Sequence, residues 1–223
     1  MKNYFDGSWR ELTDNRLCAM YLDPSRTAVM TLDMHRGHLD TSPDCPAPSK
    51  RGTEIIELIN QFTNACRARK IPVIHVRSVL RKDGSDDING NISAWRILSA
   101  LRNTQTADTS EHAIENSKWI EFCVHVEDSD YIVNGKKRLS AFYPTDLELL
   151  LHNLHKDILV VTGILTDCCV LATVIEGANH DFRMVIPKDL TRGHQPYEED
   201  ALNIISRYFG LVVDSKELIK KWN

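Results

Sequence analysis

The sequence predicts an α/β fold: three layers, with helices on both faces of a largely parallel, Rossmann-like sheet. Three observations lead there. Short β-branched apolar runs recur, as in Ile158 to Thr162 (ILVVT), and continuous runs of this kind suit strands buried on both faces. Stretches of helical periodicity stand between them. The connections are mostly short, which favours repeated β–α–β crossovers.

Residues 1 to 26 read as an irregular leader, with turn chemistry at Asp23-Pro24-Ser25. Thr27 to Asp33 (TAVMTLD) is a first strand that ends abruptly in a carboxylate, and Met34 to Lys50 is a loop rich in Pro, Ser and His. From Gly52 to Arg69 the positions Ile55, Ile56, Leu58, Ile59, Phe62 and Ala65 fit one helical face, closed by positive charge at Arg67 to Lys70. Ile71 to Val79 is a second strand. A short helix is expected around Trp95 to Leu101, between two polar stretches. Tyr131 to Val133 is a third strand, Thr145 to His155 a helix, and Ile158 to Thr162 a fourth strand. Gly163 breaks that strand, and a helix follows from about Asp167, with Thr166 and Asp167 as natural caps. Phe182 to Ile186 is a fifth strand, Tyr197 to Tyr208 a helix, and Leu211 to Val213 a last edge strand. There is no internal repeat and no linker, so residues 1–223 are expected to form one domain.

Composition narrows the function classes. A net charge of −4 gives no electrostatic reason to expect nucleic acid or an anionic membrane as partner. No run approaches the roughly 18 apolar residues of a membrane span. The first residues are polar and lack the apolar core of a signal peptide. Six cysteines, at 18, 45, 66, 123, 168 and 169, show no metal-ligand spacing, and a reducing cytoplasm is the expected setting. Cys66 and Cys123 read as small buried hydrophobes.

A parallel sheet brings the C-terminal ends of its strands to one edge, where open α/β sheets bind ligands. Three reactive groups fall in register there: Asp33 after the first strand, Lys136 after the third and Cys169 after the fourth. Taken singly, each has a blander reading: a turn former, a solvated lysine, an inert thiol. Together they supply a nucleophile, a group to take its proton and a cation to favour the thiolate. The start of the following helix favours a thiolate as well. Adjacent residues of an extended segment point to opposite sides, so Lys137 is expected to face away.

At this point the chain resembles the isochorismatase-like cysteine hydrolases, a family that includes nicotinamidases, N-carbamoylsarcosine amidase, and biuret and ureidoacrylate hydrolases. The resemblance rests on three blocks in order: TAVMTLDMHRGHLD, GKKRLSAFYPTDLELLL and VVTGILTDCCVLATVIEGANHDFRMVIPKD. It implies an isochorismatase-like fold, with Asp33 as catalytic base, Lys136 as the triad lysine and Cys169 as nucleophile. It also implies a cis peptide between Ile164 and Leu165, and an oxyanion hole formed by the Leu165 and Cys169 amides. Cys168 fills the variable position of the motif and is expected to be a neighbour only.

The departures matter. Where the family often has Gln or Asn, an acidic residue and Phe after the aspartate, this chain has His35, Gly37 and His38. His38, His75, Arg77 and Phe142 are the expected substrate-binding residues. For His35 and His38, hydrogen bonding or loop packing is expected over metal ligation. No Asp-x-His metal motif of the nicotinamidase kind stands between Arg77 and Ser117, so neither metal nor cofactor is expected. The expected activity is hydrolysis of a small amide or ureido (N-carbamoyl) substrate through a thioester, by a homo-oligomer, dimer or tetramer. The rival readings are a metal-assisted, nicotinamidase-type amidase and a non-catalytic binding protein.

Overall fold

The computed structural model describes residues 1–86 and 112–223, and residue 98 between them. Apart from that residue, the helix expected around Trp95 to Leu101 lies outside the described residues. Strand β1 (Lys2–Phe5) and β2 (Ser8–Glu11) form a hairpin, followed by helix α1 (Asn15–Tyr21). Then come β3 (Thr27–Leu32), a short α2 (Arg36–Leu39), α3 (Ile56–Arg67) and β4 (Val73–Ser78). The second half holds β5 (Tyr131–Lys136), α4 (Leu147–Asn153), β6 (Ile158–Ile164), α5 (Leu171–Asn179) and β7 (Arg183–Pro187). It closes with β8 (Thr191–Arg192), α6 (Tyr197–Tyr208), β9 (Gly210–Val213) and α7 (Ser215–Lys221).

Among the described residues all nine strands belong to one sheet, in the order β2-β1-β9-β7-β6-β3-β4-β5, with β8 paired to β6. From β9 to β5 every pairing is parallel, whereas β1 joins β9, and β2 joins β1, antiparallel. The strands alternate their side chains between two cores, as a pleat requires. Met30, Leu32 and Val161 point to the layer holding Leu147, Val174 and Leu202; Val29, Val160 and Ile158 point to the layer holding Ile59, Phe62 and Leu218. Both faces of β3 and β6 are therefore dry, which accounts for their unbroken apolar runs. In α3 the residues that face the sheet, Ile59, Phe62, Thr63 and Cys66, recur at helical spacing. Among the described residues no helix is long and apolar enough to cross a membrane.

Two expectations fail at the chain's start and end. Residues 1 to 26 are not an irregular leader: Asp6 and Gly7, at φ 48° and 76°, close a two-residue hairpin, and Tyr4 is buried in the core. That hairpin covers the strand expected at the edge, so β9 lies inside the sheet. The helix expected from Asp167 also starts late, because Thr166–Val170 forms a single π turn before α5. Gly163 of β6 pairs with Leu32 of β3. It has φ 109°, and a Cβ there would stand 2.2 Å from the Leu32 carbonyl oxygen.

Candidate active site

Three adjacent parallel strands, β3, β4 and β5, end in residues that meet. Asp33 follows β3 directly; its N–H still bonds the Val76 carbonyl (2.9 Å), and its backbone is left-handed at φ 54°. A non-glycine residue held there costs on the order of 1 kcal/mol or more, and such positions cluster at functional sites. Ser78 ends β4 and donates to Asp33 Oδ1 from both its backbone N–H (2.9 Å) and its hydroxyl (3.1 Å). Lys136 ends β5, and its Nζ lies 2.7 Å from Asp33 Oδ2, 2.9 Å from Ser78 Oγ and 3.5 Å from Cys169 Sγ. Asp33 and Lys136 are each only 1% exposed. A buried pair of opposite charges holds only with such complete hydrogen bonding.

The electrostatics follow from that burial. Loss of water works against both charges of the pair, but their mutual attraction and hydrogen bonding outweigh it. The Asp33 carboxyl is held well below its usual range, and the Lys136 ammonium above its own. Cys169 goes the other way. A hydrogen bond with Cys168 and then burial push its thiol well above the ordinary value, and Lys136 only partly offsets them. Burial and Cys168 thus work against the thiolate that Lys136 and the turn after β6 favour. Burial raises Cys66 to about 12 and Cys123 to about 11, as inert packing thiols.

Cys169 sits in the π turn that leaves β6. The Ile164–Leu165 peptide before it is cis, and the Leu165 carbonyl accepts from the Cys168 and Val170 N–H groups at 3.0 and 3.1 Å. A cavity of about 470 Å³ opens over these residues, and Asp33, Lys136, Leu165, Cys168 and Cys169 line it. His38, His112 and His194 also face it. His38 donates from Nδ1 to the Ala47 carbonyl at 2.9 Å, and burial keeps its pKa below the ordinary histidine value. Behind it His35 is fully buried; its Nδ1 bonds the Trp119 carbonyl at 2.8 Å, and its Nε2 has no partner. Burial first, and the neighbouring His38 second, bring the His35 pKa to about 3.

Of the residues expected to bind substrate, His38 lines this cavity and three others do not. His75 lies three residues short of the end of β4, fully buried, with Nδ1 2.7 Å from Thr31 Oγ1 and Nε2 3.1 Å from Asp130 Oδ2. Arg77 donates to Asn134 Oδ1 at 2.7 Å and lies over the Phe122 ring. Phe142 is buried against Phe182, with ring centroids 5.3 Å apart. Lys137 faces away from the site, toward Asp86 at 2.9 Å. Ser78, Asp167, His112 and His194 are among the lining residues that sequence reasoning missed. Ser78 could have been found as the last residue of the second strand, by the logic that picked Asp33. Among the described residues no group of three His, Cys, Asp or Glu side chains is arranged to hold a metal ion.

Comparison with known proteins bears on the family and the fold. The isochorismatase domain profile matches residues 27–217. N-carbamoylsarcosine amidase from Arthrobacter sp is 27% identical over 74% of this chain, though the match spans only 59% of the amidase. Ureidoacrylate amidohydrolase RutB from Methylorubrum extorquens is 28% identical over 86% of this chain and 81% of its own length. A cysteine hydrolase from Pseudomonas syringae pv. phaseolicola shares the fold, with a TM-score of 0.76 at 24% identity, over 90% of this chain and 93% of that one.

Proposed function

The chain belongs to the isochorismatase domain family, and on that premise we propose that it is a cysteine-dependent hydrolase. Its substrate class is a small amide or ureido (N-carbamoyl) compound, and the bond cleaved is carbon–nitrogen. Asp33 takes the Cys169 proton as Sγ attacks the carbonyl carbon, so the low-lying carboxylate and the high-lying thiol exchange the proton only as the new C–S bond forms. The Leu165 and Cys169 amides stabilise the resulting oxyanion. Collapse breaks the C–N bond, Asp33 returns its proton to the departing nitrogen, and a thioester remains. Water then attacks, giving a proton to Asp33; the C–S bond breaks, and that proton restores the thiol. Lys136 holds the Asp33 carboxylate in place and faces the sulfur throughout. The cycle needs no cofactor.

The contact set of Lys136 supports this reading most: one buried ammonium 2.7 Å from Asp33 Oδ2 and 3.5 Å from Cys169 Sγ. A homodimer or tetramer in the cytoplasm belongs to the same reading, and all six cysteines being free thiols suits a reducing compartment. The test is ammonia release from a panel containing N-carbamoylsarcosine, ureidoacrylate, maleamate and simple aliphatic amides. Turnover of at least one of them is expected, with Cys169→Ala at background. Turnover that survives Cys169→Ala would remove the thiol from the chemistry.

A further inference from the structure

We propose that His38 reads the nitrogen side of the substrate: its Nε2 accepts a hydrogen bond from an amide or ureido N–H. The site would then take carbonyl compounds that carry N–H and disfavour their N,N-dialkyl and ester counterparts. The substrate class rests on the hydrolase reading above; the hydrogen bond itself does not.

The tautomer follows from the partner. A carbonyl oxygen only accepts, so the 2.9 Å contact with Ala47 puts the proton on His38 Nδ1. Since burial keeps the ring neutral, Nε2 carries a lone pair. Two neighbouring side chains have no proton to spare for it. Lys136 has three N–H groups, and they point to Asp33, Ser78 and Cys169. The nearest ring, His35 at 4.9 Å, has its proton on Nδ1 toward Trp119 and offers only another lone pair at Nε2. The imidazole is also held in place. The Ser49 N–H bonds the His38 carbonyl (2.7 Å), and the Ala47 N–H bonds the Gly37 carbonyl (3.2 Å), so one loop fixes both backbone and ring. A fixed acceptor beside Asp33, Lys136 and Cys169 in a half-closed cavity complements a donor. A ligand without one leaves that lone pair unpaired, and sites of this kind discriminate strongly.

The test uses full-length Cys169→Ala protein labelled with 15N at histidine. It is titrated with acetamide and, separately, with N,N-dimethylacetamide, which has no N–H. The His38 Nε2 resonance is assigned by its loss in Cys169→Ala/His38→Phe. A saturable upfield shift with acetamide and none with N,N-dimethylacetamide is expected. No shift with acetamide, or equal shifts with both, overturns the proposal. On an amide that turns over, His38→Phe should lose about tenfold in kcat/KM while His38→Gln, which keeps an acceptor, loses less. Wild type that releases ammonia while the resonance stays still sinks the role of His38 and leaves the hydrolase. A selective shift in a protein without turnover does the reverse.

Discussion

The two walls of the cavity solve the same problem, burial of ionisable groups, in opposite ways. On one wall Asp33 and Lys136 remain fully charged because each charge meets the other and Ser78 fills the remaining positions. On the other wall His35 and His38 remain neutral because burial removes the option of charge, and carbonyl oxygens fix their tautomers. The first arrangement costs desolvation and holds only while complete. The second costs little at neutral pH but keeps a latent penalty in acid. The difference separates a wall suited to moving protons from one suited to recognising shape and hydrogen bonds.

The largest effect should come from breaking the charged wall. Lys136→Met leaves Asp33 as an uncompensated buried carboxylate. A loss of about 3–5 kcal/mol in urea unfolding is expected, with at least about a hundredfold loss in kcat if Lys136 preorganises the reacting groups. Asp33→Asn/Lys136→Met should recover most of the stability and none of the turnover. If the double variant is as unstable as the single, the charges are not a coupled unit.

The neutral wall yields the next effect, through pH. An imidazole that is free to protonate when unfolded, yet has a pKa of about 3 when folded, makes the unfolded state bind more protons below the ordinary value of 6.5. Stability therefore falls as pH drops from about 6.5 toward 3, by about 1.4 kcal/mol per pH unit for such a group. His35→Gln should flatten the pH dependence of unfolding free energy between pH 6.5 and 4.5 by that slope. An unchanged slope would mean that His35 protonates in the folded protein.

A smaller effect should appear at Cys168. Its hydrogen bond is the largest influence raising the Cys169 thiol, so Cys168→Ala should keep most turnover while speeding iodoacetamide labelling of Cys169 at neutral pH. Slower labelling would show that Cys168 assists the thiolate. The smallest belongs to Lys137, whose ammonium pairs with Asp86 away from the cavity. Lys137→Ala should stay within about threefold of wild type in kcat and within about 1 kcal/mol in stability. Losses equal to those of Lys136→Met would erase the distinction between the two lysines.

The charged wall was legible in the sequence as a unit; of the neutral wall His35 and His38 were picked out, but not the histidines that join them at the cavity. Asp33, Lys136 and Cys169 each stand at the end of an apolar run, and strand direction alone brings such ends to one edge. His112 and His194 lie on segments whose path depends on packing that no periodicity encodes, and the four-residue helix α2 that carries His38 is too short to show one. His75 and Arg77 misled because alternation fixes the side of the sheet a residue faces but not its height below the rim. The N-terminal hairpin was missed although Phe5-Asp6-Gly7-Ser8 carries the usual signal for a two-residue turn. Its strands are only four residues each, too short for alternation to stand out. Missing it made β9 look like an edge.

Gly163 touches none of the reacting groups, yet it sets the gauge between them. Because it has no side chain, the strand that leads to Cys169 lies flush against the strand that leads to Asp33, with the Leu32 carbonyl where a Cβ would be. In a saturation library this position should score as intolerant as Cys169 itself, for a reason unrelated to chemistry. Any replacement wedges the two tracks apart and spreads Asp33, Lys136 and Cys169 at once. Directed evolution for new substrates should therefore leave residue 163 fixed and spend its diversity on the loop at Ala47 to Ser49, where the wall can be redrawn without moving the rails.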